Sequence, residues 1–410
     1  MIDTIQRDKN NLIVYYQGFI AVAAVLVFFT KIDQYLQGRG IGMPLLWMIA
    51  FTLASIPLFV NAINNLQWIP KPVLVWSALY LAISLASIVF LTQLPELQLL
   101  EDIVRSIMFL LLMLVIFSQH PLALKWAKLT ILLVTIANIL MYVYEFFNPL
   151  AFYIEQHAAG RASGFYHNSN MAGNTVILGM ILSIDLVKPK YRSFYALFSF
   201  LGVVATFSRS AIIGCFIVTL LFMVIKVIPR YQVPLFFLSG FMIISILATQ
   251  SNSFLYLKND DGVNLFTEDS LARVEFLYDP LSQADSSKDS RLKHADKAWE
   301  KFARHPFLGN GLGSGQNSRM IGSLGTAQRS HNIYLDLMVE YGFLGALLYP
   351  GLVFASVWKV QGELKKQAIV LVVFFLIWGF FSHTVLSATN VLLSYAFMAN
   401  LAQQNRSSSL

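Results

Sequence analysis

Charged side chains are scarce in this sequence. Asp, Glu, Lys and Arg make up 12% of its 410 residues, whereas hydrophobic residues make up 57%. A soluble domain carries about 25% charged residues, because its surface must face water. The shortage of charge excludes an ordinary soluble fold and indicates that lipid or other helices cover most of the chain.

Several chemical signatures are also missing. The single cysteine, Cys215, excludes an intramolecular disulfide. The N-terminal segment MIDTIQRDKN has no signal-peptide cleavage pattern, so we expect the first apolar run to stay as a signal-anchor helix. The net charge of +7 comes without a basic patch interleaved with aromatics, which argues against nucleic acid as a partner. HExxH, CxxC, Walker and Rossmann patterns are absent, so neither a metal nor a nucleotide cofactor is expected.

Long apolar runs are what the sequence has in abundance. A membrane-spanning helix needs about 20 mostly apolar residues. The runs predict an all-α fold, a polytopic transmembrane bundle of about twelve helices with one long periplasmic loop that contains short helices. The predicted helices are 12–31, 42–61, 72–94, 102–119, 124–147, 171–187, 193–208, 210–228, 232–250, 332–357, 367–383 and 386–402.

These helices divide the chain into three parts. Residues 1–250 hold helices 1 to 9, residues 251–330 form the loop domain, and residues 331–410 hold helices 10 to 12. The runs 193–208 and 210–228 are short, so one long broken helix is an alternative there.

The positive charges predict how the bundle is oriented, since cytoplasmic loops carry an excess of Lys and Arg. With the N-terminus inside, the short outer segments hold only Lys31, Arg39, Arg161 and Arg209. The short inner segments hold Arg7, Lys9, Lys71, Lys125, Lys128, Lys188, Lys190, Arg192, Lys226, Arg230, Lys359, Lys365, Lys366 and Arg406. We therefore expect both termini in the cytoplasm and the long loop outside.

The long loop contains a segment that is typical of an amphipathic helix, residues 290–305. We expect Ser290 to cap this helix and Pro306 with Gly309 to end it. Such a helix fits two positions about equally well, on the membrane interface or packed across the mouth of the bundle. Its apolar face consists of Leu292, Ala295, Trp299 and Phe302.

Two arginines near the predicted outer surface are candidates for binding an anion. Arg209 lies between two apolar runs, where an arginine either snorkels to lipid headgroups or offers a fixed cation to an anionic substrate. Arginine suits phosphate, because its planar fork donates two hydrogen bonds and it never deprotonates. Arg291 opens the amphipathic helix, where the helix dipole disfavours a cation. That position hints at an anionic partner, although a solvated loop arginine is the commoner case.

One histidine is a candidate general base. His331 lies where the long loop re-enters the membrane, in the first turn of a helix or at its cap. The positive end of the helix dipole disfavours an imidazolium there, so a neutral ring could accept a proton. A capping or interfacial histidine is the commoner case, and His383 and His167 are further candidates at the outer face.

Two further features have simpler explanations. The glycines of GNGLGSG at 309–315 could offer backbone N–H groups to a phosphate, but turns that join loop elements are far commoner. Asp336 and Glu340 are one helical turn apart, yet Glu340 lies about 180° from His331 around the helix. We therefore expect these carboxylates to pair with a neighbouring helix rather than to form a dyad with His331.

Four segments stand out as a set. They are GRASGFYHNSNMAGN (160–174), TFSRSAIIG (206–214), SRLKHADKAWEKFARHPFLGNGLGSG (290–315) and SHNIYLDLMVEYGFLGALL (330–348). In order and spacing they resemble the bacterial O-antigen ligase family, which includes O-antigen polymerases and some protein O-oligosaccharyltransferases. The resemblance covers roughly residues 160–350. The sequence departs from the family at HNSN (167–170), where an Asn-Pro-Asn arrangement is frequent.

The resemblance implies a reaction. A glycan carried on undecaprenyl pyrophosphate passes to a sugar hydroxyl of lipid A–core on the periplasmic face of the bacterial inner membrane, without a metal or nucleotide sugar. Arg209 and Arg291 would bind the pyrophosphate, and His331 would activate the hydroxyl, with inversion if displacement is in line. Weaker candidates are Arg161 and Asn170 for the donor site and Asn332 and Glu340 for a structural motif.

Other functions stay open at this point. The same chemistry serves an O-antigen or exopolysaccharide polymerase and a protein O-oligosaccharyltransferase, which differ only in the acceptor. A lipid-linked glycan transporter is the alternative of another class. Transporters often show matching halves with interrupted helices, and this sequence shows no such halves. Its ionisable residues also gather toward one face rather than at the midplane, which favours a transferase.

Overall fold

The computed structural model describes residues 2–64, 69–88, 97–118, 120–149, 151–152, 160–232, 286–315 and 330–407, with short isolated stretches between 238 and 273. The described helices are α1 (Ile2–Ala24, continued as a π-helix Val25–Phe29), α2 (Ile32–Gly38), α3 (Pro44–Ala54), α4 (Ile56–Asn64), α5 (Lys71–Ile88), α6 (Leu97–Phe117), α7 (Pro121–Phe147), α8 (Ser169–Ser183), α9 (Arg192–Ala205), α10 (Arg209–Val224), α11 (Ser286–Arg304), α12 (Ile333–Tyr341), α13 (Gly345–Ser356), α14 (Leu364–Gly379) and α15 (Thr389–Ser407). The predicted all-α class is confirmed for these residues, which form no strand beyond one isolated bridge between Lys258 and Asn264.

Some of these helices are long enough to cross a membrane. Within the described residues, four segments are long and apolar enough, Leu12–Phe29, Lys71–Ile88, Pro121–Phe147 and Ile333–Ser356, and the bent pair α3 and α4 makes a fifth. Helices α8 and α10 have 15 and 16 residues, and 16 residues rise only about 24 Å, short of a core of about 30 Å. The count of about twelve stays a prediction, and the predicted helix 232–250 lies largely outside the described residues.

Two predicted helices are broken in the structure. The run 42–61 becomes α3 and α4, bent by 54° at Ser55. Pro57 falls in the first turn of α4, where its missing N–H is tolerated but would break a continuous helix. The run 332–357 is interrupted by the 3₁₀ turn Gly342–Leu344. Conversely, the single broken helix considered for 193–228 is wrong, because α9 and α10 are separate helices that pack against each other.

Large apolar side chains cover much of the outside of the bundle. Exposure of this much apolar surface to water is unfavourable unless something covers it, and hydrocarbon suits it. The exposed faces of α1, α3, α5, α7 and α9 therefore indicate contact with lipid. Examples are Leu12, Phe19, Leu46, Leu53, Val75, Leu79, Leu133, Leu140 and Phe194.

Polar contacts distinguish the two ends of the bundle. At one end, Asn390 Nδ2 donates to Thr175 Oγ1 at 2.8 Å and ties the start of α15 to the start of α8; we call this the Asn390 end. At the other end, Asp185, just beyond α8, accepts from Lys128 Nζ at 2.5 Å and from Gln367 Nε2 at 2.7 Å; we call this the Asp185 end.

The amphipathic helix of the long loop differs from its prediction. Helix α11 begins at Ser286, so Ser290 lies inside it and does not cap it. Ala298 and Phe302 are buried against α12, whereas Leu292 and Trp299, expected on the apolar face, are each 55% exposed. The buried face of α11 is rotated relative to the predicted apolar face, because α12 covers it rather than a flat interface. Helix α11 therefore packs on α12 of the bundle, and a position at the membrane interface stays a prediction.

Candidate active site

The first two sequence motifs meet through Arg161. Its Nη2 donates to Asn170 Oδ1 at 3.0 Å, and its Nε donates to the Thr206 carbonyl at 3.4 Å. The neighbouring Ala162 N–H donates to the carbonyl of Ala205 at 3.0 Å. These bonds fasten the 160–170 segment to the turn between α9 and α10, so Arg161 and Asn170 lie beside the turn that leads into Arg209.

Helix α10 starts at Arg209. Ser208 is its N-cap and accepts from the Ala211 N–H at 3.4 Å. A helix N-terminus carries partial positive charge and unpaired N–H groups, and an arginine at its first position adds a full charge. Phe207 follows α9 in a left-handed conformation (φ +47), and its ring is buried beside Phe266. The buried ring fixes the path of the backbone into Arg209.

The 160–170 segment is held by a buried carboxylate and a helix cap. Glu145 Oε2 accepts from the N–H groups of Ser163 at 2.8 Å and Gly164 at 2.6 Å. Asn168 caps α8 by accepting from the Asn170 N–H at 2.8 Å. The two asparagines of HNSN therefore have different roles, since Asn168 caps the helix and Asn170 binds Arg161.

His331 lies just outside the positions predicted for it. Helix α12 starts at Ile333 and its N-cap is Asn332, so His331 precedes the cap, in a left-handed conformation with φ +58. Its ring lies against that of His383, with centroids 5.2 Å apart. Asn332 Oδ1 accepts from the N–H of Leu335 at 3.2 Å, which fixes the turn that carries His331.

A cavity of about 300 Å³ opens beside the two histidines, between α5, α6, α12 and the turn before α15. Arg105 is held there by Glu101 at 2.5 Å and Asp102 at 3.3 Å. The size and mixed lining are typical of a pocket for a small polar group. Its ionisable lining residues are Asp102, Arg105, Asp336, Glu340 and His383.

The third and fourth motifs dock through the glycine-rich turn. The N–H groups of Asn310 and Gly311 donate to the carbonyls of Val339 at 2.8 Å and Glu340 at 3.1 Å. The Gly313 N–H donates to Glu340 Oε1 at 3.3 Å. The turn thus satisfies the last carbonyls of α12, which otherwise lack partners, instead of directing these N–H groups to a phosphate.

The carboxylates of α12 contact the connecting segments that fold back over this helix. Glu340 Oε1 accepts from the Gly313 N–H in the glycine-rich turn, and Asp336 Oδ1 accepts from Ser330 Oγ at 2.5 Å. The expected pairing with a neighbouring helix stays a prediction.

The predicted site residues fall into two groups at the Asn390 end. Arg161, Asn170 and Arg209 form the first, which we call the arginine cluster, and His331 with His383 forms the second, the histidine pair. Asn174, Ser210 and Phe381 line one small pocket, so the starts of α8 and α10 are next to the turn that carries His383. The tertiary structure therefore brings residues from three of the motifs to one end of the bundle.

Arg291 lies in the interior of α11. The helix starts five residues earlier, so the expectation that Arg291 opens it, and the dipole argument built on that position, are wrong. The residues Ser286–Asp289 add one turn before it. The side chain of Arg291 lies outside the described residues.

The sequence predicted no role for Lys31 or Asp33, and it favoured His331 over His383 as the candidate base. The signal for His383 was its position at the predicted outer end of an apolar run, the same end as His331. For Asp33 the signal was an acidic residue directly after the first apolar run, where charge is costly.

The described residues form a helical bundle with apolar outer faces and a polar cavity at one end, as expected of a membrane protein. Residues 194–349 match the model of the family described as O-antigen ligase. The match includes Arg209, Arg291 and His331. This match confirms the resemblance for the residues that it covers. A search among curated proteins finds no match.

Proposed function

We propose that the protein is an O-antigen ligase. It transfers O-polysaccharide from undecaprenyl pyrophosphate to a sugar hydroxyl of lipid A–core, on the periplasmic face of the bacterial inner membrane. The observation that carries the proposal is the histidine pair at the rim of the cavity, at the same end of the bundle as the arginine cluster. The family domain supplies the class of reaction.

The arginine cluster suits the pyrophosphate of the donor. Arg209 adds its charge to the N-terminus of α10, and Arg161 is oriented by Asn170 and the Thr206 carbonyl. Fixed donors aimed at a leaving group stabilise the charge that develops there, which is often the largest catalytic effect. In this proposal the loop contributes Arg291 as a third arginine, which completes a clamp on the pyrophosphate, and no metal is required.

His331 acts on the acceptor. The imidazole takes the proton of the acceptor hydroxyl, the oxygen attacks the anomeric carbon of the glycan, and the bond to the pyrophosphate oxygen breaks. Undecaprenyl pyrophosphate leaves with the electron pair, and in-line attack inverts the anomeric carbon. His383, with its ring against His331 and its side chain at the cavity, orients the base toward the acceptor.

The proposed topology places this chemistry outside the cytoplasm. Residues 251–330 form the periplasmic loop domain between the nine helices of 1–250 and the three of 331–410, and both termini are cytoplasmic. This arrangement agrees with the excess of Lys and Arg on the inner segments. Reporter fusions that fluoresce only in the cytoplasm test it, and a dark C-terminal fusion would contradict it.

Replacement of His331 by Ala tests the catalytic role. We expect lipopolysaccharide from cells with this variant to lose O-chain attached to core on a gel, because the base is gone. Arg209→Lys and Arg291→Lys keep the charge but lose the bidentate fork, so transfer should also fall. Full-length O-chain on core with His331→Ala would exclude the catalytic role, and unaltered transfer with both lysine variants would exclude the pyrophosphate clamp.

A strain that lacks this protein distinguishes a ligase from a polymerase. Loss of a ligase leaves polymer on its lipid carrier, whereas loss of a polymerase leaves single repeat units on core. Reconstituted protein that moves a labelled lipid-linked glycan across vesicles without transferring it would support transport instead.

A further inference from the structure

A second pocket adjoins the large cavity at the Asn390 end. Its volume is about 80 Å³, and it shares Arg105, Ser106 and Ser387 with the cavity of about 300 Å³. Asp33, at the start of α2, lines this pocket and is 1% exposed. Among the residues that the structure describes, Asp33 Oδ1 has no hydrogen-bond partner. Buried oxygens without a partner are rare and costly, so this one needs an explanation.

The neighbouring lysine does not supply that partner. Lys31 is buried and left-handed (φ +63), and its Nζ donates to Thr389 Oγ1 at 2.7 Å. Burial lowers the pKa of the Lys31 ammonium to about 8. Burial also raises the pKa of the Asp33 carboxyl, and Lys31 and backbone hydrogen bonds from Gln34 and Asp33 itself oppose this effect only in part. The Oδ1 atom, which lacks a partner among the described residues, thus stays available to a group that enters from the cavity.

The ionisable groups around the two pockets favour one type of ligand. Asp33, Asp102, Asp336 and Glu340 contribute carboxylates, whereas Arg105 is already held by Glu101 and Asp102. The Lys31 ammonium, bonded to the pocket-lining Thr389, offsets one of these negative charges. A phosphate would meet like charge here, and like charge in a partly buried site is strongly unfavourable. A hydroxyl or an ammonium group would instead supply the hydrogen that Asp33 Oδ1 lacks.

We propose that the Asp33 pocket is a specificity subsite for the acceptor, and that it selects an uncharged or amino-bearing sugar unit over a phosphorylated one by accepting a hydrogen bond at Asp33. This rests on the proposed function, because the cavity leads to the acceptor base His331 through His383. Asp33 is a binding residue in this arrangement and takes no part in the transfer of the proton.

The first test is Asp33→Asn in the full-length protein, assayed with purified lipid-linked donor and lipid A–core. The substitution keeps the shape of the side chain and removes its charge. We expect the KM for the acceptor to rise about tenfold or more, as for loss of a hydrogen bond to a charged group, with the KM for the donor unaltered. An unaltered acceptor KM would overturn the proposal.

A second variant reaches the pocket without touching Asp33. Ser387 is exposed and lines both the pocket and the cavity, so Ser387→Trp narrows the passage between them while it is tolerated on the surface. It should raise the acceptor KM as Asp33→Asn does. This variant keeps the proposal open to refutation if Asp33→Asn fails to fold, and normal acceptor KM in Ser387→Trp would then overturn it.

A competition assay identifies which type of sugar the subsite selects. Methyl glucoside, methyl glucosaminide and methyl glucoside 6-phosphate are added to the transfer assay as competitors of the acceptor. We expect the amino sugar to inhibit most and the phosphorylated sugar least. In Asp33→Asn, the three sugars should inhibit to a similar extent. Inhibition that is strongest with the phosphorylated sugar, or an order that Asp33→Asn leaves unaltered, would overturn the subsite.

Failure of the subsite and failure of the ligase assignment give different results. If His331→Ala abolishes transfer but Asp33→Asn has a normal acceptor KM, only the subsite is wrong. If His331→Ala retains transfer, the proposed function is wrong. Asp185→Asn, at the opposite end of the bundle, is the matched control for loss of an aspartate charge and should leave the acceptor KM unaltered.

Discussion

Each end of the bundle buries a lysine near an aspartate. At the Asp185 end, Lys128 Nζ lies 2.5 Å from Asp185 Oδ2, and Gln367 donates to Oδ1 at 2.7 Å, so both carboxylate oxygens have partners. At the Asn390 end, Lys31 turns to Thr389, and Asp33 Oδ1 lacks a partner among the described residues. The Asp185 carboxylate is satisfied by its neighbours, whereas the Asp33 carboxylate leaves an acceptor facing a cavity.

The backbone shows a related difference. Lys226 and Lys359, at the Asp185 end, are left-handed just after a helix, where this conformation is a common way to end it. At the Asn390 end, Phe207 also follows a helix, whereas Lys31 and His331 are left-handed just before one. Strain at such a position is kept when the surroundings determine it, and it is typical of functional sites. Under the proposed function, the Asp185 end contributes stability, whereas the Asn390 end contributes binding and chemistry.

The largest expected effect comes from His331→Asn. Asparagine tolerates the left-handed conformation, so the turn should fold normally. Transfer should fall by about 100-fold to 10,000-fold, the usual contribution of a general base. Lys226→Asn is the matched control, because Lys226 has a similar φ of +60 outside the site. Initial rates with equal amounts of folded protein measure the effect, and activity near that of the control would remove His331 from the mechanism.

Gly309→Ala should give the largest loss of stability. Gly309 has φ +74, and a Cβ there would lie 2.4 Å from the Glu340 carbonyl oxygen, so α11 could not dock on α12. We expect a cost of about 2–3 kcal/mol. Gly362→Ala is the control, since Gly362 has φ +60 with open space around it, and strain alone should cost about 1 kcal/mol. Equal unfolding midpoints in detergent would show that the contact with Glu340 is unimportant.

The two aspartates should respond differently to removal of their charge. Asp185→Asn leaves Lys128, whose side chain is 10% exposed, without its charge partner. Because the Asp185 side chain is itself 43% exposed, we expect a loss of only about 1–2 kcal/mol. Asp33→Asn removes a charge that lacks a full set of partners, so its melting temperature should fall less. A larger decrease in melting temperature for Asp33→Asn than for Asp185→Asn would contradict the proposed difference between the two ends.

The smallest effects are expected at two helix caps. Asn168 caps α8 and Asn332 caps α12, and replacement by Ala at a cap costs about 1 kcal/mol. Asn332→Ala should also slow transfer, because it loosens the turn that carries His331. Asn168→Ala leaves the Arg161–Asn170 bond in place and should slow transfer less. Thermal unfolding and initial rates check both, and equal rates in the two variants would show that the cap does not position His331.

Local sequence features were sufficient for the helices but not for their breaks. The lengths of the apolar runs predicted most of the described elements, because helix formation depends on neighbouring residues and on hydrophobicity over about 20 positions. The start of α11 was wrong by four residues, since its first turn contains Ser and Asp, which favour caps as well as helices. The bend at Ser55 follows from Pro57, a local signal that a count of apolar residues passes over, whereas the 3₁₀ turn at Gly342 was not predicted.

By itself, the sequence determined that the described residues are helical, that their apolar faces suit lipid, and that the motifs resemble those of the O-antigen ligase family, since composition, run length and motif order are written in consecutive residues. Only the tertiary structure decided that His331 meets His383, that Glu340 binds the glycine-rich turn, and that Asp33 faces the cavity. These contacts join residues far apart in the chain. Packing of the whole bundle, rather than any local preference, selects which of them form.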